Sequence, residues 1–242
     1  MIALYQLLLL QFTAHLLADF IFQGQRWSQR KASRPFTHYH MWHTLIVFGL
    51  SFLLSFDTGF WVAALLIALL HLGQDMLKSN IKIRTDKNWF FTDQLIHLMI
   101  LAGISIAYHH YLEYTMPFEV SLRTLAIASS LLLCLKPANI IIKNILDIFH
   151  IEAPGEPFHH TGREPLEEDS RGLPNAGKLI GITERLLAFI LVLFGQYGAV
   201  GLIIAAKSIL RFRNTKQSEY VLVGTLLSFG MAIFLALLVS QL

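Results

Sequence analysis

Cysteine is almost absent from this chain of 242 residues. The single Cys134 excludes an intramolecular disulfide and any zinc site built from thiolates. Charge is scarce too. Asp, Glu, Lys and Arg make up 14% of the residues, against about 25% in a soluble globular domain. That shortfall excludes an ordinary water-soluble fold. Aspartate is rarer still, with seven in the whole chain, so each position is informative. Apolar residues take the space, at 55% of the chain and a mean hydropathy of +0.55. The first apolar run lacks the basic flank and small-residue cleavage site of a secretory signal, and is expected to be a retained helix.

Runs long enough to cross a bilayer recur along the chain, each needing about 20 residues. The expected fold is all-α, a polytopic transmembrane helix bundle. Eight spans fit, at roughly 2–23, 43–56, 60–78, 91–108, 121–136, 179–195, 198–212 and 219–240. Charge sorts between alternate loops. Of the 19 Lys and Arg residues, 16 fall on one side, in four clusters: Arg26 to Arg34, Lys78 to Lys87, Lys136 to Lys178 and Arg211 to Lys216. The other side offers Asp57, Glu113 and Glu119, with Arg123 nearby. By the positive-inside rule, eight spans put both termini away from the cytoplasm. This distribution explains a pI near 9.0 without nucleic acid.

Three parts follow: a five-span bundle over 1–136, a segment over 137–178 and a three-span bundle over 179–242. The segment opens KPANIIIKNILDIFHIE, expected to form an amphipathic helix on the inner membrane surface, where a cytosolic protein could dock. It continues with a stretch rich in Pro, Gly and charge, which reads as a flap or linker.

Histidine and aspartate carry the chemistry. "AHLLADF" sets His15 and Asp19 four apart, "LHLGQDM" does the same for His71 and Asp75, and "TDQLIH" reverses the order with Asp93 and His97. Residues four apart share a helical face. On the expected topology all six lie at the cytoplasmic ends of their spans, with His43 opening the second span at that level. Buried ionisable groups in a membrane are costly, and pair, line a path or bind an ion. Imidazole with carboxylate suits zinc, manganese or iron. The expected ligands are His15, Asp19, His43, His71, Asp75, Asp93 and His97, holding one or two divalent ions, with Asp19, Asp75 and Asp93 as candidate catalytic carboxylates. The plainer alternative is that each pair glues helices together. His38 and His40 are read as loop histidines.

The C-terminal part adds Glu184 and Arg185, Lys207 and Arg211, and Glu219 on the same expected side. With Lys78, the residues Glu184, Arg185, Lys207 and Arg211 are expected to hold an anionic substrate such as a phosphate or phospholipid headgroup. Ion pairing at the membrane interface is the alternative.

"HLLADFIFQ" with Trp27 and Lys31, then "HLGQDMLK" and "DQLIH", resemble the N-terminal part of a bacterial membrane-protein family known as domain of unknown function three-three-zero-seven. "GKLIGITERLL", "GLIIAAKSILRF" and "EYVLVGTLLSF" resemble the C-terminal portion of its longer members. The resemblance implies a multi-pass protein of the bacterial inner membrane and implies no reaction.

Three functions are weighed. The first is an inner-membrane metal-dependent hydrolase acting on a lipid, or a lipid-linked phosphate or ester, at the cytoplasmic leaflet. The second is a transporter or channel for a divalent metal or protons. Such a path needs polar groups through the whole thickness, and stretches such as "IALYQLLLLQF" and "IVFGLSFLL" are expected to offer almost none. The third is a non-enzymatic adaptor with a structural metal.

Overall fold

The computed structural model describes residues 1–24, 27–28, 31, 36–80, 89–151, 176–211 and 218–242; the side chains of 80, 176, 210–211 and 218–219 are excepted. The described residues are mainly helical, without strands. The helices are α1 (Ile2–Leu16), α2 (His38–Ser55), α3 (Trp61–Asn80), α4 (Trp89–Leu112), α5 (Leu122–Cys134), α6 (Lys136–Ile148), α7 (Ala176–Leu193), α8 (Tyr197–Arg211) and α9 (Ser218–Ser240). A π turn, Leu17–Phe22, extends α1, and a short 3₁₀ turn, Thr58–Phe60, leads into α3.

Local chemistry fixes several of these ends. Thr37 opens α2 with a capping box that uses His40 in the third helical position, so His38 and His40 belong to the helix and not to a loop. Phe56 leaves α2 in the left-handed conformation, at φ 53°. Asp57 then accepts the Gly59 N–H at 2.8 Å and starts the next helix. A Cβ on Gly59 would sit 2.8 Å from the Tyr108 hydroxyl, so this turn needs glycine. Ser121 caps α5 by accepting the Thr124 N–H at 3.1 Å. Leu135 breaks the chain between α5 and α6.

Among the described residues, four helices are long and apolar enough to cross a membrane: Ile2–Phe22, Thr58–Ser79, Trp89–Leu112 and Tyr220–Ser240. The bent pair Leu122–Cys134 with Lys136–Ile148 makes a fifth if it is one span. The expected count of eight is thus replaced by four to five. Each of the other expected spans is a helix that falls short in length or in apolarity. The helix α2 opens with His38, His40 and His43, and α8 has only 15 residues. Large apolar side chains face outward, among them Leu65, Leu66, Leu69 and Leu70 on α3 and Leu222, Leu226 and Phe234 on α9. Water would not tolerate so much exposed apolar surface. This is the make-up of a membrane protein.

The chain divides into two compact units, Met1–Pro137 and Ala138–Gln241. In the first, α1 packs on α2 and α4, and α3 closes the ring by packing on the same two; α5 lies against α1. The buried stripes repeat every four residues or nearly so: His43, Val47, Ser51 and Ser55 on α2, and Asp93, His97, Leu101, Ser105 and Tyr108 on α4. Such a stripe is one face of a helix. In the second unit α7 packs on α8 and α9, while α6 buries Ala138, Ile142 and Leu146.

Candidate metal centre

The ring of α1 to α4 brings the predicted histidines and aspartates to one end of the first unit. The π turn matters here. Its wider coil is closed by the Gln23 N–H donating to the Ala18 carbonyl at 3.1 Å, five residues back. Asp19 sits inside that turn, and π turns inside helices often mark functional sites. Its Oδ1 is 3.7 Å from His15 Nδ1, 3.3 Å from His43 Nε2 and 3.5 Å from His71 Nε2. His43 Nε2 and His71 Nε2 are 3.0 Å apart. Asp75 Oδ2 lies 3.9 Å from each of these two nitrogens.

These numbers have a specific meaning. Zinc bonds of about 2.0–2.1 Å in a tetrahedron put neighbouring ligand atoms roughly 3.3 Å apart. The triangle of Asp19, His43 and His71 has sides of 3.0, 3.3 and 3.5 Å, and Asp75 lies somewhat farther out, beside the two histidines. Two overlapping sets, His15 with Asp19 and His71, and His43 with His71 and Asp75, each keep one ligand atom per residue within 4.8 Å of the others. His71 is common to both. Asp19 Oδ1 is buried and accepts no hydrogen bond from any described residue. A cation is what such an oxygen, ringed by imidazole nitrogens, is suited to hold.

The remaining predicted residues stand around this core. His97 stacks on His71 with ring centroids 3.9 Å apart, and its Nε2 is 3.7 Å from Asp93 Oδ1. Asp93 is 1% exposed and accepts from Lys78 at 2.5 Å. His15 Nε2 meets the Gln94 amide oxygen at 3.2 Å. Thus His15, Asp19, His43, His71 and Asp75 converge, whereas Asp93 and His97 form an adjoining pair. Of the expected anion-holding residues, only Lys78 belongs to this unit. In the second unit Lys207 pairs with Glu184. Arg185, 2% exposed, donates to Ser228 Oγ at 3.1 Å and Asn139 Oδ1 at 2.6 Å. The side chain of Arg211 lies outside the described residues, as does all of 152–175.

Three participants were missed by sequence reasoning. Lys31, buried at 6% exposure, pairs with Asp75. Gln94 orients His15, and His40 is buried at 1% exposure. Lys31 follows an unpromising polar stretch, and only the fold brings it to Asp75. Gln94 had a signal, since it lies beside Asp93 on a mostly apolar helix.

The far end of the unit is more polar than its sequence suggests. Gln11 and Ser51 hold each other, with Gln11 Nε2 donating to the Ser51 carbonyl at 3.0 Å and Ser51 Oγ donating to Gln11 Oε1 at 2.5 Å. Tyr108 donates to Asp57 at 2.7 Å, and Tyr114 to the Ser55 carbonyl at 2.9 Å. Burial pushes the Tyr114 phenol up to about 12. The expectation that outer halves carry almost no polar groups is corrected accordingly. Between the two ends, Val47, Ile67 and Leu101, each one turn from a site histidine, join Leu7 in one buried apolar cluster.

No curated protein and no solved structure matches the chain. Residues 7–127, which are 121 of the 242, match the family described as protein of unknown function (DUF3307). All seven predicted His and Asp residues, with Lys31, Lys78 and Gln94, fall inside the matched stretch, and the chain belongs to this family.

Proposed function

We propose that the first unit is a divalent-metal site serving a hydrolase of the bacterial inner membrane, one that works on a lipid or lipid-linked phosphate or ester at the cytoplasmic leaflet. The observation that carries this reading is the ligand triangle of Asp19, His43 and His71, with Asp75 beside it. Zinc, manganese or iron suits that donor set, and His15 offers a ligand for a second ion. On this reading the spans carry the chain through the membrane, and both termini face away from the cytoplasm.

A bound divalent ion would supply a polarised substrate oxygen and a water acidified to a pKa of about 7. The chain's own residues do the rest. Lys31 balances the charge of Asp75, and Gln94 fixes the His15 ring. Asp93, buried beside His97, is placed to accept a proton. Its Lys78 partner, 37% exposed at the side chain, can reach toward an incoming anion.

Elemental analysis of the detergent-purified protein tests the reading, with wild type beside the His71→Ala, Asp75→Ala double variant. Near-stoichiometric zinc, manganese or iron, lost in the double variant, is expected. Absence of metal from wild type after reconstitution sinks it. Cysteine labelling from each side at Thr115 and Ser240 tests the topology.

A second reading, a proton or metal transporter, draws support from Gln11, Ser51 and Ser105 beyond the site. Ser105 Oγ is buried without a hydrogen-bond partner among the described residues. The apolar cluster of Val47, Ile67 and Leu101 argues for a blind pocket instead. Flux of zinc or protons into proteoliposomes above the rate of protein-free vesicles would favour the transporter.

A further inference from the structure

The metal reading leaves one feature of the first unit unused. A part-enclosed cavity of about 70 Å³ lies beside Asp75. About 10–15 Å³ by the same measure suffices for one water, so this space admits a group of several heavy atoms. Lys31, Lys78 and His40 reach its wall, together with Ser28 and Ser79. Asp75 forms the side shared with the His/Asp cluster.

His40 decides the sign of the occupant. Its Nδ1 is 3.1 Å from the Thr37 backbone N–H, which can only donate, so Nδ1 accepts. The proton of the neutral ring is then on Nε2. That Nε2–H is buried and finds no acceptor among the described residues, an arrangement unfavourable by about 1–3 kcal/mol. His40 lines the cavity, and an acceptor-rich guest there would satisfy this N–H if the ring turned Nε2 toward it. The two ammonium groups add positive charge, although each is held by a carboxylate, Lys31 by Asp75 and Lys78 by Asp93. If Asp75 were to hold a cation together with His43 and His71, its charge would be taken up there and Lys31 would be free to turn toward the cavity.

We infer that this cavity is an oxyanion site for a phosphate group, held by Lys31, His40 and Lys78, and that it fills when metal occupies the adjoining cluster. The inference rests on the metal reading and narrows its substrate to a phosphoester. A phosphate brings several acceptor oxygens and a charge that answers the two lysines and the imidazole N–H. A carboxylic ester brings no charge and fewer acceptors.

The test uses the full-length protein in phosphatidylcholine nanodiscs, titrated with inorganic phosphate by calorimetry with and without zinc. An apparent Kd at least tenfold tighter with zinc is expected, and by reciprocity phosphate tightens zinc by the same factor. The variants Lys31→Gln, His40→Phe and Lys78→Gln are expected to retain zinc and to lose at least tenfold in phosphate affinity. Lys78→Gln, at a part-exposed position, serves if the buried changes impair folding. A parallel arm uses nanodiscs containing phosphatidic acid. Abolition of the phosphate titration there supports a lipid headgroup as the source, and an unchanged titration supports a free phosphate. Zinc at full stoichiometry with phosphate affinity unmoved in all three variants overturns the oxyanion site and spares the metal. Phosphate binding of equal strength without zinc overturns the coupling. No zinc in wild type overturns the metal reading and this one together.

Discussion

Asp75 and Lys31 allow the charge logic of the centre to be tested without knowing a substrate. Both side chains are buried, at 11% and 7% exposure, and each is the other's ion-pair partner. Asp75→Asn keeps the shape and removes the charge, which strands the Lys31 ammonium. Breaking one side of a buried pair is destabilising by about 3–5 kcal/mol. At roughly 3 °C per kcal/mol for a unit of this size, metal-free Tm falls by about 10–15 °C. Adding Lys31→Gln removes the stranded charge, so the double variant recovers most of the loss. Metal affinity follows a different rule. A four-ligand zinc site binds with about 10–16 kcal/mol, or about 2.5–4 per ligand, and each 1.4 kcal/mol is tenfold. Both Asp75→Asn and the double variant therefore lose zinc affinity by about two to three decades. The assay pairs thermal unfolding in detergent under chelation with competition against a zinc-binding dye. A double variant no more stable than Asp75→Asn refutes the stranded-charge argument. Wild-type zinc affinity in the double variant refutes Asp75 as a ligand.

Other consequences are simpler to check. Because metal binding releases protons from its ligands, bound zinc is expected to fall as the pH is lowered, followed by dye competition across a pH series. Gly59→Ala forces a Cβ toward the Tyr108 hydroxyl and disturbs its bond to Asp57; a loss of about 1–3 kcal/mol is expected in thermal unfolding, with zinc affinity unchanged. Lys207→Met leaves Glu184, only 15% exposed at its side chain, without that partner. Destabilisation of the second unit by about 1–3 kcal/mol is expected, and the double Lys207→Met, Glu184→Leu variant is expected to recover it.

The helices and the His/Asp cluster were legible because both follow from short-range periodicity. An i, i+4 pair is fixed by helical pitch, and three pairs on apolar helices have few ways to stay buried without meeting. The span count was less legible. Hydropathy alone made a span of α2, but its polar opening turn serves the site and shortens the apolar stretch. Lys31 and His40 could not be read in advance, since their roles depend on which elements the fold brings alongside. Nor could the π turn at Asp19, since nothing in LADFIF announces a wider coil. The Gln11–Ser51 pair escaped notice because each residue alone is one polar group in a run of leucines or phenylalanines. Glu184 and Lys207, 23 residues apart, became partners only through the packing of α7 on α8.

The apolar layer of Val47, Ile67 and Leu101 has an electrical consequence. A membrane voltage falls most steeply where matter polarises least, and in this unit that is the layer, not the ring of imidazoles and carboxylates beside it. One elementary charge crossing the whole drop exchanges about 2.3 kcal/mol per 100 mV. An ion that enters and leaves by the His/Asp end traverses little of the drop, so the occupancy of the centre is insensitive to membrane potential. An ion that passes the layer feels most of it, and its rate changes steeply with voltage. The three side chains thus separate a pocket that any membrane potential leaves alone from a conduit that it would drive.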